Sequence, residues 1–302
     1  MNRARVMADW IAVDWGTSNL RAWAMTSSGS ELWSGASDKG MGALKPEHFE
    51  GALLDVVSPM LGAGPIDVVA CGMVGSRQGW IEAAYALAPC PALPEGFARP
   101  QVKNPLLRVH VIPGIKQLSA PDVMRGEETQ IAGFLALNPG WDGVVCLPGT
   151  HTKWAEVSAG EIVSFRTFMT GELFALLSDA SVLRHTLAPT GWDDAAFAGA
   201  VEDAMSKPEN LAARLFSLRA EALLSDLAGE TARARLSGYL IGAELAAARP
   251  YWLGRQVAVI GASSLSQIYG AALTAQHVPV TIADGPRMTL AGLSAAYKTL
   301  RH

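Results

Sequence analysis

The chain has 302 residues, 50% of them hydrophobic, 17% charged and 7% aromatic, which excludes disorder and suffices for two medium-sized hydrophobic cores. With 28 acidic against 24 basic residues the formal charge is −4, so a nucleic-acid partner and an anionic membrane surface are both disfavoured. Cys71, Cys90 and Cys146 are odd in number and lack paired spacing, as expected of reduced core thiols in a cytoplasmic protein.

Arg3 and Arg5 stand near the start, but Asp9 breaks the apolar run that follows them, so no export signal is expected. Strands are expected over 10–15, 20–25 and 31–37, then a helix over 46–61 and a strand over 66–71. An irregular Pro-rich stretch over 89–105 leads to a strand over 108–112, a loop, and a helix over 127–137. The pattern then restarts. Strands are expected over 143–147, 151–157 and 161–168, with Ala159-Gly160 at a hairpin turn. Helices follow over 171–183, 193–227 with a break at Pro208, and 231–248, and the chain closes strand, helix, strand, helix. Residues 256–283 carry no charge, yet Gly261, Ser263, Ser264, Gln267, Gly270 and Pro279 divide them into core elements rather than a membrane span. The whole reads as α/β.

The restart can be followed by letter. Asp14-Trp15-Gly16-Thr17-Ser18-Asn19-Leu20-Arg21-Ala22-Trp23 and Leu147-Pro148-Gly149-Thr150-His151-Thr152-Lys153-Trp154 both run strand, Gly-Thr, polar turn, basic residue, Trp. A tight glycine turn lets backbone N–H groups approach an anion, and the hydroxyls of Thr17, Ser18 and Thr150 add donors without bulk. Two similar domains would each offer such a hairpin to one phosphate-bearing ligand. Neither hairpin is a GxxxxGKS loop, and no GxGxxG follows a strand. Asp14, ending an apolar strand, suits Mg²⁺ coordination or a turn cap. Glu127 and Glu128 open a helix, where the dipole favours acids and where either could serve as a base. His110, His151 and His185 share no metal-like spacing.

Asp14-x-Gly16-Thr17-Ser18 with Arg21, Gly126-Glu127, Gly149-Thr150 and Val259-Ile260-Gly261-Ala262-Ser263-Ser264 resemble the phosphate, connecting-helix and adenosine motifs of actin-like ATPases and sugar kinases. The strings IAVDWGTSNLRAW, CGMVGSRQGW, VMRGEETQIAG, LPGTHTKW, FRTFMTGEL and LSGYLIGAE further resemble the 2-dehydro-3-deoxygalactonokinase family. This resemblance implies two actin-like (ribonuclease H-like) domains with a nucleotide cleft between them. The N-terminal, acceptor-side domain would span 1–120, with the C-terminal helix over 288–302 packing back on it. The nucleotide side would span 121–287.

By the same resemblance, ATP and Mg²⁺ are the cofactors, and the acceptor is 2-dehydro-3-deoxy-galactonate, phosphorylated at C6. Asp14 would position the metal, and Gly16, Thr17, Ser18 and Arg21 would contact the β- and γ-phosphates. Gly149 and Thr150 would grip the phosphates from the other domain, with Gly171 nearby and Gly261 and Ala262 flanking adenosine. Glu127 would be the base, with Glu128 the alternative. Ser76, Arg77, Trp80 and Arg125 are the acceptor candidates, Ser76 and Arg77 being favoured for the substrate carboxylate. Gly292 and Ala295 would let two helices approach closely. One departure from the pattern is Leu147-Pro148, where some relatives carry an acid. A small-molecule partner is implied, and a homo-oligomer is compatible with it. Kinases of other keto-deoxy acids and a non-enzymatic actin-like scaffold stay open, whereas a sugar-sensing repressor would need an N-terminal DNA-binding helix pair ahead of a strand that already begins near residue ten.

Overall fold

The computed structural model describes residues 8–301, so Arg3 and Arg5 lie outside the described residues. The chain divides into two units. The first holds residues up to Asp142 together with 157–164 and the segment from Gly285; the second holds Gly143–Glu156 and Phe165–Asp284.

In unit 1, β1 (Trp10–Trp15), β2 (Leu20–Met25) and β3 (Glu31–Ser37) form an antiparallel meander, as their alternating apolar residues predict. α1 (Phe49–Val57) crosses over to β4 (Ile66–Gly72), which pairs parallel to β1. α1 is shorter than the expected helix because Pro46 and Pro59 each lie in a 3₁₀ turn at one of its ends. β5 (Tyr85–Leu87) and β6 (Cys90–Pro91) precede β7 (Leu107–Val111), which completes the sheet order β3-β2-β1-β4-β7. The expected loop before the next helix holds two further strands, β8 (Gly114–Gln117) and β9 (Asp122–Met124), and these form a small sheet with β5. α2 (Glu127–Leu137) closes this run.

Unit 2 repeats the plan. β10 (Gly143–Leu147), β11 (Thr152–Ser158) and β12 (Glu161–Phe168) are followed by α3 (Thr170–Asp179), α4 (Asp194–Ser206), α5 (Leu211–Leu224), α6 (Gly229–Ala247) and the short α7 (Arg249–Trp252). Pro208 begins the 3₁₀ turn that separates α4 from α5. β13 (Val257–Gly261), α8 (Ser263–Thr274) and β14 (Val280–Asp284) finish the unit, with β13 parallel to both β10 and β14. The sheet order β14-β13-β10-β11-β12 is the order of unit 1 reversed in writing, so the letter-level recurrence corresponds to a repeated topology. The far end of β12 counts with unit 1, where Glu161 and Ile162 pair with Pro91 and Cys90 of β6.

α9 (Gly285–Thr299) belongs to unit 1, where it packs against α2, β1 and β4. The period-2 alternation of β1 explains its two-sided burial. Ile11, Val13 and Trp15 face Phe49 and Leu53 of α1, while Trp10 and Ala12 face Leu293, Ala296 and Tyr297 of α9. Trp10 stacks on Tyr297 with centroids 4.5 Å apart. The expected boundary at residue 120 is therefore corrected to Asp142/Gly143, because the α2–α9 contact keeps α2 in unit 1, and the returning segment starts at Gly285 rather than 288. Among the described residues no helix is long and apolar enough to cross a membrane.

Candidate active site

Asp14 is the last charged residue of β1, opposite Arg21 on β2 and Cys71 on β4. Its Oδ2 accepts from Arg21 Nη2 at 2.5 Å, and the Cys71 thiol lies 4.0 Å from Oδ1. Arg21 is thus already paired and about two-fifths exposed. The hairpin between them is closed by Gly16 N–H donating to Asn19 carbonyl and braced by Met41 and Gly42, whose N–H groups donate to Gly16 and Thr17. Thr17 and Ser18 are left exposed.

The start of α2 comes to the same place. Gly72 and Gly126 both have positive φ, 91° and 108°, and a β-carbon on Gly126 would lie 3.3 Å from the Gly72 α-carbon. Glu127 is half-buried and its Oε2 accepts from Arg125 N–H. Glu128 is fully buried; both its oxygens accept from Gly126 N–H and one from Thr129 Oγ1. Burial, helped by the charge of Glu127, pushes the Glu128 carboxyl up to about 7 against the pull of those hydrogen bonds. Burial first, then the charges of Asp14 and Glu128, push the Cys71 thiol well above its ordinary value, so it stays protonated between two acids.

Of the acceptor candidates, Ser76, Arg77 and Trp80 follow β4 and Arg125 follows β9. Ser76 and Arg125 are buried, whereas Arg77 is exposed. Trp80 is partly buried against the unit 1 core, its ring stacked on Phe49 and edge-on to Trp15, both at 6.2 Å.

In unit 2, Thr150 is exposed at the β10–β11 turn, and α3 begins against it, with Glu172 N–H donating to Thr150 carbonyl and the Glu172 carboxylate 2.6 Å from His151 Nε2. Gly171 packs so closely that a β-carbon there would lie 2.2 Å from Gly149 carbonyl. Gly149, Thr150, Thr170 and Gly171 line a cavity of about 440 Å³, the size of an ordinary small-ligand pocket. Gly261 and Ala262 do not line it; Gly261 ends β13 beside Pro148, and it is Leu265 and Ile268 of α8 that reach the cavity. Phe174, Trp192, Arg233 and Ser237 complete its wall, with Arg233 5.0 Å over the Phe174 ring. These were missed. Their helical spacings, 170, 171, 174 on α3 and 233, 237, 241 on α6, mark faces, but spacing alone does not say that the two faces converge.

Behind the cavity Glu244 of α6 is buried. It accepts from the Trp154 indole at 2.7 Å, from Tyr269 hydroxyl at 2.9 Å, and from the Thr170 hydroxyl. Burial raises it to about 7 although these bonds oppose the shift.

Two sheets of one repeated strand order, a hairpin at the head of each and an acid-bearing helix start give the two-unit α/β fold expected of actin-like ATPases and sugar kinases. A family model described as 2-keto-3-deoxy-galactonokinase matches residues 14–296. The chain belongs to this 2-keto-3-deoxy-galactonokinase family. A Rhizobium meliloti protein named as a candidate 2-dehydro-3-deoxygalactonokinase is 37% identical over 298 residues, 96% of this chain and 97% of the relative. The Escherichia coli 2-dehydro-3-deoxygalactonokinase is 35% identical over 289 residues, 95% of this chain and 96% of the relative. Among solved structures, a Sinorhizobium meliloti protein described as a candidate for the same kinase superposes with a TM-score of 0.89 at 35% identity, covering 96% of both chains. The activator of 2-hydroxyisocaproyl-CoA dehydratase from Clostridium difficile, solved with bound ADPNP, shares the fold at a TM-score of 0.53 and 11% identity, over 97% of this chain and 95% of that one.

Proposed function

We propose that the protein transfers the γ-phosphoryl group of ATP to the C6 hydroxyl of 2-dehydro-3-deoxy-D-galactonate. The family match over residues 14–296 carries this reading, and the geometry divides the labour. Bound ATP supplies the phosphoryl group, and Mg²⁺ neutralises its charge.

In unit 2 the wall formed by Phe174, Trp192 and Ile268 is suited to a nucleobase, while Gly149, Thr150 and the N-terminus of α3 at Thr170-Gly171 present donors to phosphate oxygens. Gly261 and Ala262 serve adenosine indirectly, by starting α8. In unit 1, Thr17 and Ser18 offer exposed hydroxyls and backbone N–H groups to phosphate, and Arg21 adds positive charge. Mg²⁺ fits Asp14: this ion keeps several waters and takes one or two protein carboxylates beside the phosphates, so a single partly exposed acid is enough. Among the described residues no cluster of three metal-binding side chains exists, which agrees with a metal held chiefly by nucleotide and water. Glu127, being half-buried, can touch substrate and take the C6 hydroxyl proton as the new phosphorus–oxygen bond forms and ADP leaves; Glu128, sealed from solvent, positions the helix start instead. Three free cysteines suit a cytoplasmic site of action.

The test is ADP release, coupled to an optical readout, across six-carbon keto-deoxy acids, their epimers, and neutral aldoses. ATP- and Mg²⁺-dependent turnover of the galactonate-derived acid above the others is expected. Preference for another keto-deoxy acid would move the substrate assignment to that compound, and ATP-dependent sedimentation without turnover would replace the kinase by a scaffold.

A further inference from the structure

Arg125 is more than nine-tenths buried, yet its guanidinium is only partly satisfied. Nη2 donates to the Ala83 carbonyl at 2.8 Å, while Nε and Nη1 meet no acceptor. The Tyr85 ring of β5 lies beneath it, 4.2 Å from the guanidinium carbon, and fixes its plane. Ser76 shows the same feature, a buried hydroxyl without a partner. The backbone just before Ser76 packs against the guanidinium: a β-carbon on Gly75 would lie 2.8 Å from Arg125 Nη1.

A buried cation with idle donors is costly unless an anion completes it, and among the described residues no carboxylate bonds to Nε or Nη1. The anion that matches a planar guanidinium is a carboxylate, through parallel N–H···O bonds that a lysine cannot reproduce. We infer that Arg125 and Ser76, on the Tyr85 platform, anchor the C1 carboxylate of the acceptor and so select sugar acids over neutral sugars. Arg77, favoured from the sequence, is exposed and lacks this preparation. Arg125 N–H donates to Glu127 Oε2 at 2.9 Å, so the anchor and the proton acceptor flank Gly126, while the substrate carries its carboxylate and reacting hydroxyl at opposite ends. The inference rests on the phosphotransfer reading above.

Steady-state kinetics of Arg125→Lys, Ser76→Ala and Arg77→Lys with the keto-deoxy acid and ATP test it, together with the melting-point rise that the acid alone produces without nucleotide. Arg125→Lys is expected to raise KM for the acid by roughly ten-fold or more and to leave KM for ATP nearly unchanged. Ser76→Ala should raise KM for the acid by about three-fold and weaken the acid-induced melting shift, without lowering the melting point of the free protein, because the lost hydroxyl has no partner there. Should Arg125→Lys fail to fold, Ser76→Ala and its melting shift decide the question. An unchanged KM for the acid in folded Arg125→Lys, an unchanged acid-induced shift in Ser76→Ala, or a rise carried by Arg77→Lys instead would overturn the inference. An acid that shifts the wild-type melting point but not that of Ser76→Ala, and is never phosphorylated, would sink the reaction and leave the anchor standing.

Discussion

Gly133 of α2 and Gly292 of α9 lock into one another: a β-carbon on Gly133 would lie 2.6 Å from the Gly292 nitrogen and 1.9 Å from Met288 carbonyl. A β-carbon on Gly292 would meet Thr129 carbonyl at 1.9 Å. Both contacts are with backbone, which cannot swing aside. Backbone-to-backbone packing of this kind ties the helix that carries Glu127 and Glu128 to the C-terminal segment of the same unit. Gly133→Ala and Gly292→Ala should therefore each destabilise by about 1–3 kcal/mol, or roughly 3–10 °C in melting temperature, whereas Gly51→Ala on α1, where a β-carbon meets open space, should not. Thermal denaturation of the three variants checks this, and equal melting points would show that the crossing tolerates a shift.

Glu127→Gln is expected to lower kcat by about 10²–10⁴-fold while leaving ATP affinity nearly intact, as the loss of a general base does. Glu128→Gln should cost far less turnover and act mainly on stability, because that side chain braces the Gly126 N–H inside the protein. Single-turnover rates and nucleotide titrations on both variants separate the roles. A larger rate loss in the Glu128 variant would exchange them.

Asp14→Asn should reduce Mg²⁺-dependent turnover strongly and be rescued in part by raised Mg²⁺, since it removes a hard anionic oxygen but keeps the volume. Its stability should fall by about 1 kcal/mol or less, because the Arg21 partner is two-fifths exposed and its loss is screened by water. A Mg²⁺ titration of activity is the measurement. Full specific activity with a large melting-point drop would make Asp14 a structural cap.

Glu244 and Glu128 are both raised from 4.5 to about 7, chiefly by burial. The folded chain therefore binds protons more tightly than the unfolded one between these values. Stability should decline as pH rises from about 4.5 through 7 and stay reduced above it, each group contributing on the order of a few kcal/mol. Asp67, Asp193 and Glu221 are lowered, so their stabilising contributions are lost only below their ordinary values and leave this window to the raised pair. Glu244→Gln should flatten the fall in melting temperature between pH 5 and 8 by about half, the amide still accepting from Trp154. Parallel wild-type and variant profiles would show that Glu244 does not titrate there.

Much of the fold was legible because its signals are local. Period-2 burial places β1, β2 and β3 at their expected residues, the acids after Gly126 start α2 where expected, and Gly-Thr turns end the opening strand of each unit. Local signals also pointed to the candidate residues that lie within one hairpin or one helix start: Asp14 with its glycine turn, Glu127 with Glu128, and Gly149-Thr150. The short strands β8 and β9 escaped because three or four residues next to prolines and glycines carry too little periodicity to be read.

Residue types and their order along the chain determined the repeated α/β plan, the family motifs and the pair of acids from which a base could be drawn. Tertiary packing decided which member of each pair is available. It buried Glu128 and left Glu127 half-open, exposed Arg77 while sealing Arg125 over Tyr85 with two nitrogens unsatisfied, packed Trp80 against the core, and converged α3, α6 and α8 on a cavity that no stretch of sequence describes. The physical reason is range. Propensity, capping and alternation act within a few residues, whereas burial, desolvation and the pairing of charges depend on which distant segments share a space, and that is fixed only when the sheets and helices close on one another.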